Sequence, residues 1–535
     1  MATRRSFLLG TACTVALTKA LPALADTPGA DQQVMHVANR LGFGPNTADI
    51  AHIQQIGIDR YIDEQLHPAA LSEPAELTQR LAALDTLRLD PIQLFVQYGP
   101  QLPILNGGVK PTPEEAKARR ERARIIAQQA AWARVWRALY SPRQLQEAMV
   151  DFWFNHFNVF AGKGLDHLWI GHFEDTAIRP YALGHFRDLV QATAHHPAML
   201  FYLDNQLNTQ PGSPGAKGEQ TGINENYARE LMELHTLGVN GGYTQDDVIT
   251  LAHILTGWGL DRPAFRIGSG AGFRFDPGRH DFTAKTFLGH PIAPGGEEQG
   301  IAAIDILAQS PATARHISLQ LAQYFVADTP PPTLVDRLTQ RFSQTEGDIA
   351  AVLKVLFTSR EFRDSAGQKY KTPYQYVLSA VRAAGTEVNN PRPLLGTMAR
   401  LGMPLYFCPT PDGYKNIEDA WLSPDATTLR VGFATGLGRG VLPLKSPPPP
   451  DEPPGNAVAA APSNPAPNMA TPQLVAQQQN EPAAPAAPKG DPLDPAPLQA
   501  LLGPILSPHT RAAIAESPPD LQAALILGSP DFMRR

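Results

Sequence analysis

Apolar residues recur at helical spacing along most of this chain. Residues 33–67 read as two helices around the turn Arg40-Leu41-Gly42-Phe43-Gly44-Pro45-Asn46-Thr47, with Ile50, Ile53, Ile56, Ile58, Tyr61, Ile62 and Leu66 as the apolar face. Another helix or two lies within 75–100. Thr112 caps and Pro113 opens a long helix, and Ser141-Pro142 opens the next, which runs to about Phe160. Helical pattern continues through 167–205, 223–237 and 244–256, resumes at 298–310, 312–326, 333–344, 347–358 and 369–385, and returns at 496–535. Only 260–296, rich in Gly, Phe and Pro, reads as irregular loops or short strands. The fold class is therefore mainly α: one large multi-helical body with irregular loop inserts.

Two of these helices carry polar residues that amphipathicity alone does not explain. The 144–160 helix is apolar nearly all round, yet Glu147, Asp151, Asn155 and Asn158 recur at i, i+4, i+8 and i+11, with His156 beside them. Buried carboxylates and amides need partners. On the 223–237 helix, Glu225, Asn226, Arg229, Glu230 and Glu233 fall within an arc of about 140°, with Tyr227, Ala228, Leu231, Met232 and Leu234 opposite. That arc holds three carboxylates, one Arg and one Asn and no Lys, Gln or Ser. It is the obvious supplier of partners to the first helix, Arg229 above all. The Gly/Pro-rich 206–222 loop before it lies where a ligand-gating segment would sit. His195-His196-Pro197 reads as a helix end, and segments 347–363 and 521–535 share an apolar helix followed by Ser-x-acid-Phe.

Charge and composition set the compartment. The formal net charge is -6 with no large basic domain, so nucleic acid is not a main partner; the basic run Lys117–Arg124 is a solvated helix face. Thr3-Arg4-Arg5-Ser6-Phe7-Leu8-Leu9 matches a twin-arginine export pattern, and Ala23-Leu24-Ala25 offers a small-x-small cleavage site. The apolar run between them is short and broken by Lys19, so no transmembrane segment is expected after cleavage. The expected localisation is periplasmic or secreted. Without residues 1–25 only Cys408 remains, so no internal disulfide forms. Residues 446–490 are Pro, Ala, Asn and Gln with almost no aromatics and read as a disordered insertion. The expected organisation is a signal peptide at 1–25, a helical body at 30–445, the insertion, and C-terminal helices at 491–535 packing on the body.

The chain resembles the large bacterial family catalogued as domain of unknown function number 1800. The likeness rests on Asn39-Arg40-Leu41-Gly42-Phe43-Gly44-Pro45, Phe152-Trp153-Phe154-Asn155-His156-Phe157, His196-Pro197-Ala198-Met199-Leu200 and Asn224–His235. It continues through Gly242-Tyr243-Thr244, Leu255-Thr256-Gly257-Trp258, His280-Asp281, Lys285–Gly289 and Ser529–Phe532. The resemblance implies an exported, mainly helical protein, and a co-exported partner similar to the phosphatase and sulfatase fold. It implies no activity.

Chemistry then divides into three readings. Glu230 and Glu233, one turn apart, would ligate a divalent metal with His156 and His235, although Glu233-x-His235 sets the histidine some 160° away if the helix continues. Alternatively the two carboxyls act as acid and base, with Asn155 and His156 facing them and Arg229 orienting a carboxylate or an anionic ligand. Glu225, Asn226 and Asp151, with the separate pair His280-Asp281, are the binding candidates. Under the third reading the polar cluster is a structural network and the protein is a binding or assembly module for another exported protein.

Overall fold

The computed structural model describes residues 29–100, 110–261, 270–447 and 491–535. The expected leader at 1–25 and nearly all of the expected insertion at 446–490 lie outside the described residues. What is described is mainly α, and one contiguous set of buried apolar side chains runs from Val34 to Met533. A satellite of Leu77, Leu84, Ala133 and Trp136 sits under the first helices. Among the described residues no helix is long and apolar enough to cross a membrane.

The predicted start at Thr112-Pro113 holds because its cap is local, whereas Ser141 ends the preceding helix and the next begins uncapped at Gln144. Thr112 accepts from the Glu115 amide at 3.2 Å while Glu115 accepts from the Thr112 amide at 2.9 Å, closing a capping box at the head of the helix Pro113–Tyr140. The next helix, Gln144–His156, is buried on almost every face and packs against the helices Ile58–Leu66 and Pro113–Tyr140 and the turns at 173–181. The 260–296 region resolves into two antiparallel hairpins, Trp258–Leu260 with Phe273–Phe275 and Lys285–Phe287 with His290–Ile292. His196 caps the helix Pro197–Tyr202, so the histidine pair does mark a helix end. Ser359 and Ser529 each accept from the amide of the Phe three residues on, at 3.1 Å in both, and Phe362 and Phe532 are both buried.

The central polar helix is shorter than its periodicity predicts: Asn226–Glu233, ending a turn before Gly238. Gly238 takes φ +82, and its amide returns to the Met232 carbonyl at 3.2 Å. That left-handed residue closes the helix early and throws Leu234–Leu237 into a turn. A Cβ at Gly238 would stand 2.7 Å from His316 Nδ1, which brings the helix Pro311–Phe325 directly against this turn.

The last residues seal the body. The Arg535 amide donates to the Lys369 carbonyl at 2.8 Å, the Lys371 amide to Met533 at 2.9 Å, and the Tyr376 hydroxyl lies 2.9 Å from the Arg430 carbonyl and 3.0 Å from that of Leu527.

Candidate functional site

Two polar assemblies meet on the helix Gln144–His156. The deeper one centres on Arg134, which projects from the apolar half of the preceding helix. Its guanidinium donates to Asp151 at 2.6 Å and to Glu174 at 3.1 Å, and lies over the rings of Phe154, Tyr374 and Tyr406 at 5.1–5.5 Å. Arg179 joins Glu147, Glu174 and Asp175, and Arg137 donates to Asp175 at 2.8 Å. Glu174 and Asp175 are neighbours on the π-helical turn Phe173–Ile178 and share Arg179, while Arg134 pairs with Glu174 and Arg137 with Asp175. The Tyr324 and Tyr406 hydroxyls donate to Asp151 and Glu174 at 3.2 and 3.0 Å. Burial pulls the Arg134 guanidinium down, but Glu174, Tyr374 and Asp151 outweigh it and hold it well above its ordinary value. Glu147 and Asp151 are thus satisfied by Arg179 and Arg134, not by Arg229 as the sequence suggested.

Asn155 and Asn158, the next two members of that stripe, hold a loop. Asn155 Nδ2 donates to the Tyr414 carbonyl at 2.9 Å and its Oδ1 accepts from the Tyr414 amide at 2.7 Å. Asn158 donates to the carbonyls of Cys408 and Thr410 at 3.0 and 2.8 Å. The approach is so close that Gly413, at φ +66, has no room for a side chain: a Cβ would stand 2.3 Å from the Asn155 carbonyl oxygen.

The loop so held, with the helices Gln144–His156 and Pro311–Phe325 and the end of Asn226–Glu233, encloses a pocket of about 500 Å³. Asn155, His156, Glu233, His316, Gln320 and Asp412 stand on its wall, and Asp151 and Tyr324 lie at the side shared with the Arg134 assembly. The Gln320 amide lies 2.8 Å from His156 Nδ1 and 3.1 Å from His316 Nε2. His156 Nε2 is 3.0 Å from the His235 carbonyl. Burial, then His316, pulls the His156 imidazole down to about 3, so the ring is neutral near pH 7. A carbonyl only accepts, so the His235 carbonyl accepts from His156 Nε2–H. Gln320 Oε1 is the atom that faces His156 Nδ1, and Gln320 Nε2 the atom that faces His316 Nε2. His156, Gln320 and His316 thus form a connected run of polar groups on a wall that also carries Glu233, Asp412 and Lys415.

The polar arc of the helix Asn226–Glu233 stands at one edge of this pocket. Glu233 is on the wall. Glu230, one turn behind it, is half-buried; burial, then the neighbouring Glu233, pushes its carboxyl up, against the pull of Arg229. Arg229 donates to Glu225 at 3.0 Å and lies 3.6 Å from Glu233. Burial and Glu233 push the Tyr243 phenol up to about 12. Glu225 also accepts from Gln245 at 2.7 Å, and Asn226 ties the helix start to the Leu203 carbonyl at 3.2 Å. His235 is buried beside His156, ring centroids 6.0 Å apart, with Nε2 unpartnered. Burial, then His156 and His316, hold its imidazole well below the usual range.

His280 and Asp281 are engaged elsewhere. They fasten the hairpins: His280 reaches the Thr256 and Gly295 carbonyls at 2.7 and 3.1 Å, and Asp281 holds His253 at 2.9 Å and the Thr283 amide at 3.0 Å. Among the described residues no three His, Cys, Asp or Glu side chains are placed to share a metal ion. Sequence reasoning missed Arg134, Arg137 and Arg179, and also His316, Gln320, Asp412 and Lys415. The first two carried a signal: basic residues at i and i+3 inside the apolar run Ala130–Tyr140.

The family model described as Protein of unknown function (DUF1800) matches residues 36–534. No curated protein and no solved structure matches the chain.

Proposed function

Since the chain belongs to the family of proteins of unknown function DUF1800, whose description carries no activity, we propose from the geometry that its pocket binds a small polar ligand and does proton-transfer chemistry on it. The observation that carries this is the placement of Glu233 on the wall of a cavity whose other polar groups are already oriented by one another. Glu230, one turn behind the wall, with its carboxyl pushed up by burial and by Glu233, is the donor in this reading. Glu233, set beside Arg229, is the acceptor. Two neighbouring carboxyls in unlike surroundings divide acid and base roles in this way. Neutral His156, both of whose ring nitrogens are held by Gln320 and the His235 carbonyl, and neutral His316 present no charge to the ligand.

The twin-arginine pattern at Arg4-Arg5 and the Ala23-Leu24-Ala25 site support export to the periplasm or beyond. That route would also place the protein beside the co-exported phosphatase- or sulfatase-like proteins that the resemblance implies as partners.

The test is a thermal-shift screen of polar metabolites against the mature protein and its Glu233→Gln variant. Compounds are expected that raise the melting temperature of the first and lose most of that shift in the second. Hits that stabilise both proteins equally, or no hits at millimolar concentration, would overturn the assignment.

A further inference from the structure

The bridge that seals the body gathers cations. Tyr370 pairs antiparallel with Arg534, and the main chains of Lys369 and Lys371 bond those of Arg535 and Met533. Lys369, Lys371 and Arg535 are all buried there. Arg40 and Arg430, also buried, act on them from the helices Ala30–Arg40 and Pro424–Gly438. The group stands behind the pocket: Tyr324 and Thr372 line the cavity, and none of the five cations does.

Two of the five are engaged. Lys369 pairs with Asp328 and donates to the Asn416 carbonyl at 2.7 Å. Arg40 gives its terminal nitrogens to the carbonyls of Phe325 and Ser365, at 2.7 and 2.6 Å. The other three are not. Arg430 donates once, to the Lys371 carbonyl at 2.7 Å, and Arg535 once, to the Tyr324 carbonyl at 2.8 Å. Nε and Nη1 of both arginines, and Nζ of Lys371, have no acceptor among the described residues, and each of these residues is at most 3 % exposed. No carboxylate, of a side chain or of the last residue, accepts from them. Aromatic rings cover them instead. Lys371 Nζ lies 3.8 Å from the centre of the Phe532 ring, the Arg430 guanidinium 4.5 Å from that of Tyr370, and the Arg535 guanidinium 4.8 Å from that of Tyr324. A ring face attracts a cation but brings no net charge to balance it.

Burial acts differently on the two residue types. A lysine can shed its proton, and burial, then Arg535 and Arg430, hold the Lys371 amine well below its usual range. An arginine keeps its charge inside a protein. The acids nearest Arg535 are Asp151 and Asp328, and these are held by Arg134 and Lys369. Arg430 has only the rings of Tyr370 and Tyr376 beside it. Two fixed positive charges and a third basic group thus share an interior that commits no negative charge to them, and a buried charge needs a partner of opposite sign.

We propose that Lys371, Arg430 and Arg535 together hold a small inorganic anion. It bonds nitrogens that otherwise lack an acceptor and returns the Lys371 amine to its charged form. Enclosed by Phe532, Tyr370 and Tyr324, the site takes a free ion rather than the charged end of a larger molecule. It does not depend on what the pocket binds.

The test starts from the mature protein purified in sodium chloride and sodium phosphate, then passed by gel filtration into sodium gluconate, whose anion is too bulky for an interior site. Acid-denatured samples are analysed by ion chromatography, and the folded protein is melted at fixed ionic strength while gluconate is exchanged for chloride or phosphate. Wild type is expected to release about one equivalent of a single anion per chain, or to melt at temperatures that climb with the logarithm of that anion's concentration. Which salt does so tells a halide from an oxyanion. Lys371→Met is expected to hold the anion at least about tenfold more weakly and to lose the climb. No released anion together with equal melting in all three salts overturns the inference, and needs no variant. So does a Lys371→Met protein that releases and responds as wild type does, since the ion is then adventitious. If that variant does not fold, Arg430→Gln serves in its place, with the same two outcomes.

Discussion

Replacing Arg134 by Leu is expected to cost the protein about 3–5 kcal/mol of unfolding free energy at pH 7, the usual loss when one partner of a buried ion pair is removed. Arg134 is 4 % exposed and meets Asp151 and Glu174, themselves buried. Leucine fills part of the volume but leaves Asp151 with the Tyr324 hydroxyl alone and Glu174 with Arg179 and Tyr406. Two carboxylates must then either ionise in an apolar surrounding or take up protons. Arg134→Lys restores a charge without the forked geometry and should recover only part of the loss. Urea unfolding followed by circular dichroism measures this. A Leu variant within about 0.5 kcal/mol of wild type would show that the assembly does not hold the fold.

Asp166 gives the opposite expectation, a gain. It opens the helix Asp166–His172, is fully buried, and neither carboxylate oxygen has a partner. Lys163, the nearest cation, is engaged by Asp204 at 2.8 Å and by the Tyr202 carbonyl at 2.5 Å. Burial pushes the Asp166 carboxyl well above its ordinary value; Asp204 adds to this and Lys163 opposes it. The folded chain thus holds a proton that the unfolded chain has released, so this group lowers stability as pH rises from the unfolded pKa near 3.8 towards the folded one. Each pH unit crossed in that window is worth about 1.4 kcal/mol. Asp166→Asn removes the titration while keeping the shape. It is expected to be more stable than wild type by more than about 1 kcal/mol at pH 7, with the difference vanishing near pH 4. Unfolding free energies of the two proteins at several pH values check the sign; a deficit at pH 7 would mean that the carboxylate has a charged partner.

Much of the fold was legible because its signals are local. Thr112 and Pro113 set one helix start through a cap that needs no tertiary contact. Of the stripe Glu147, Asp151, Asn155 and Asn158, read as buried polar residues in need of partners, Asn155 is partly exposed and the other three are buried, and all four have partners. The partners were not legible, since they come from elsewhere in the chain: Arg134 from the helix before, Arg179 from a turn after a π-helical segment, and the Tyr414 backbone 259 residues downstream of Asn155. No periodicity encodes such pairings. The early end of the central helix lies outside its periodicity: the chain leaves the helix at Leu234, well before the left-handed Gly238 that stands close against His316. For the candidate site, Glu233, Asn155 and His156 do line one pocket, as their helices suggested. Asp412, Lys415, His316 and Gln320 could join it only once the loop and the helix Pro311–Phe325 were packed there. His280 and Asp281 belong to hairpin contacts that a dipeptide in the sequence does not reveal.

The central claim is that the carboxylates of the helix Asn226–Glu233 serve the pocket, while those around Arg134 serve the fold. Its most direct test is the unfolding free energy, at pH 7 in urea, of the Glu230→Gln, Glu233→Gln double variant. Like charges one turn apart and a partly desolvated carboxyl cost stability, so neutralising both should leave stability unchanged or raise it by up to about 1 kcal/mol. A loss of about 3 kcal/mol or more, the mark of a broken buried ion pair, would contradict the claim and make the polar arc part of the structural network.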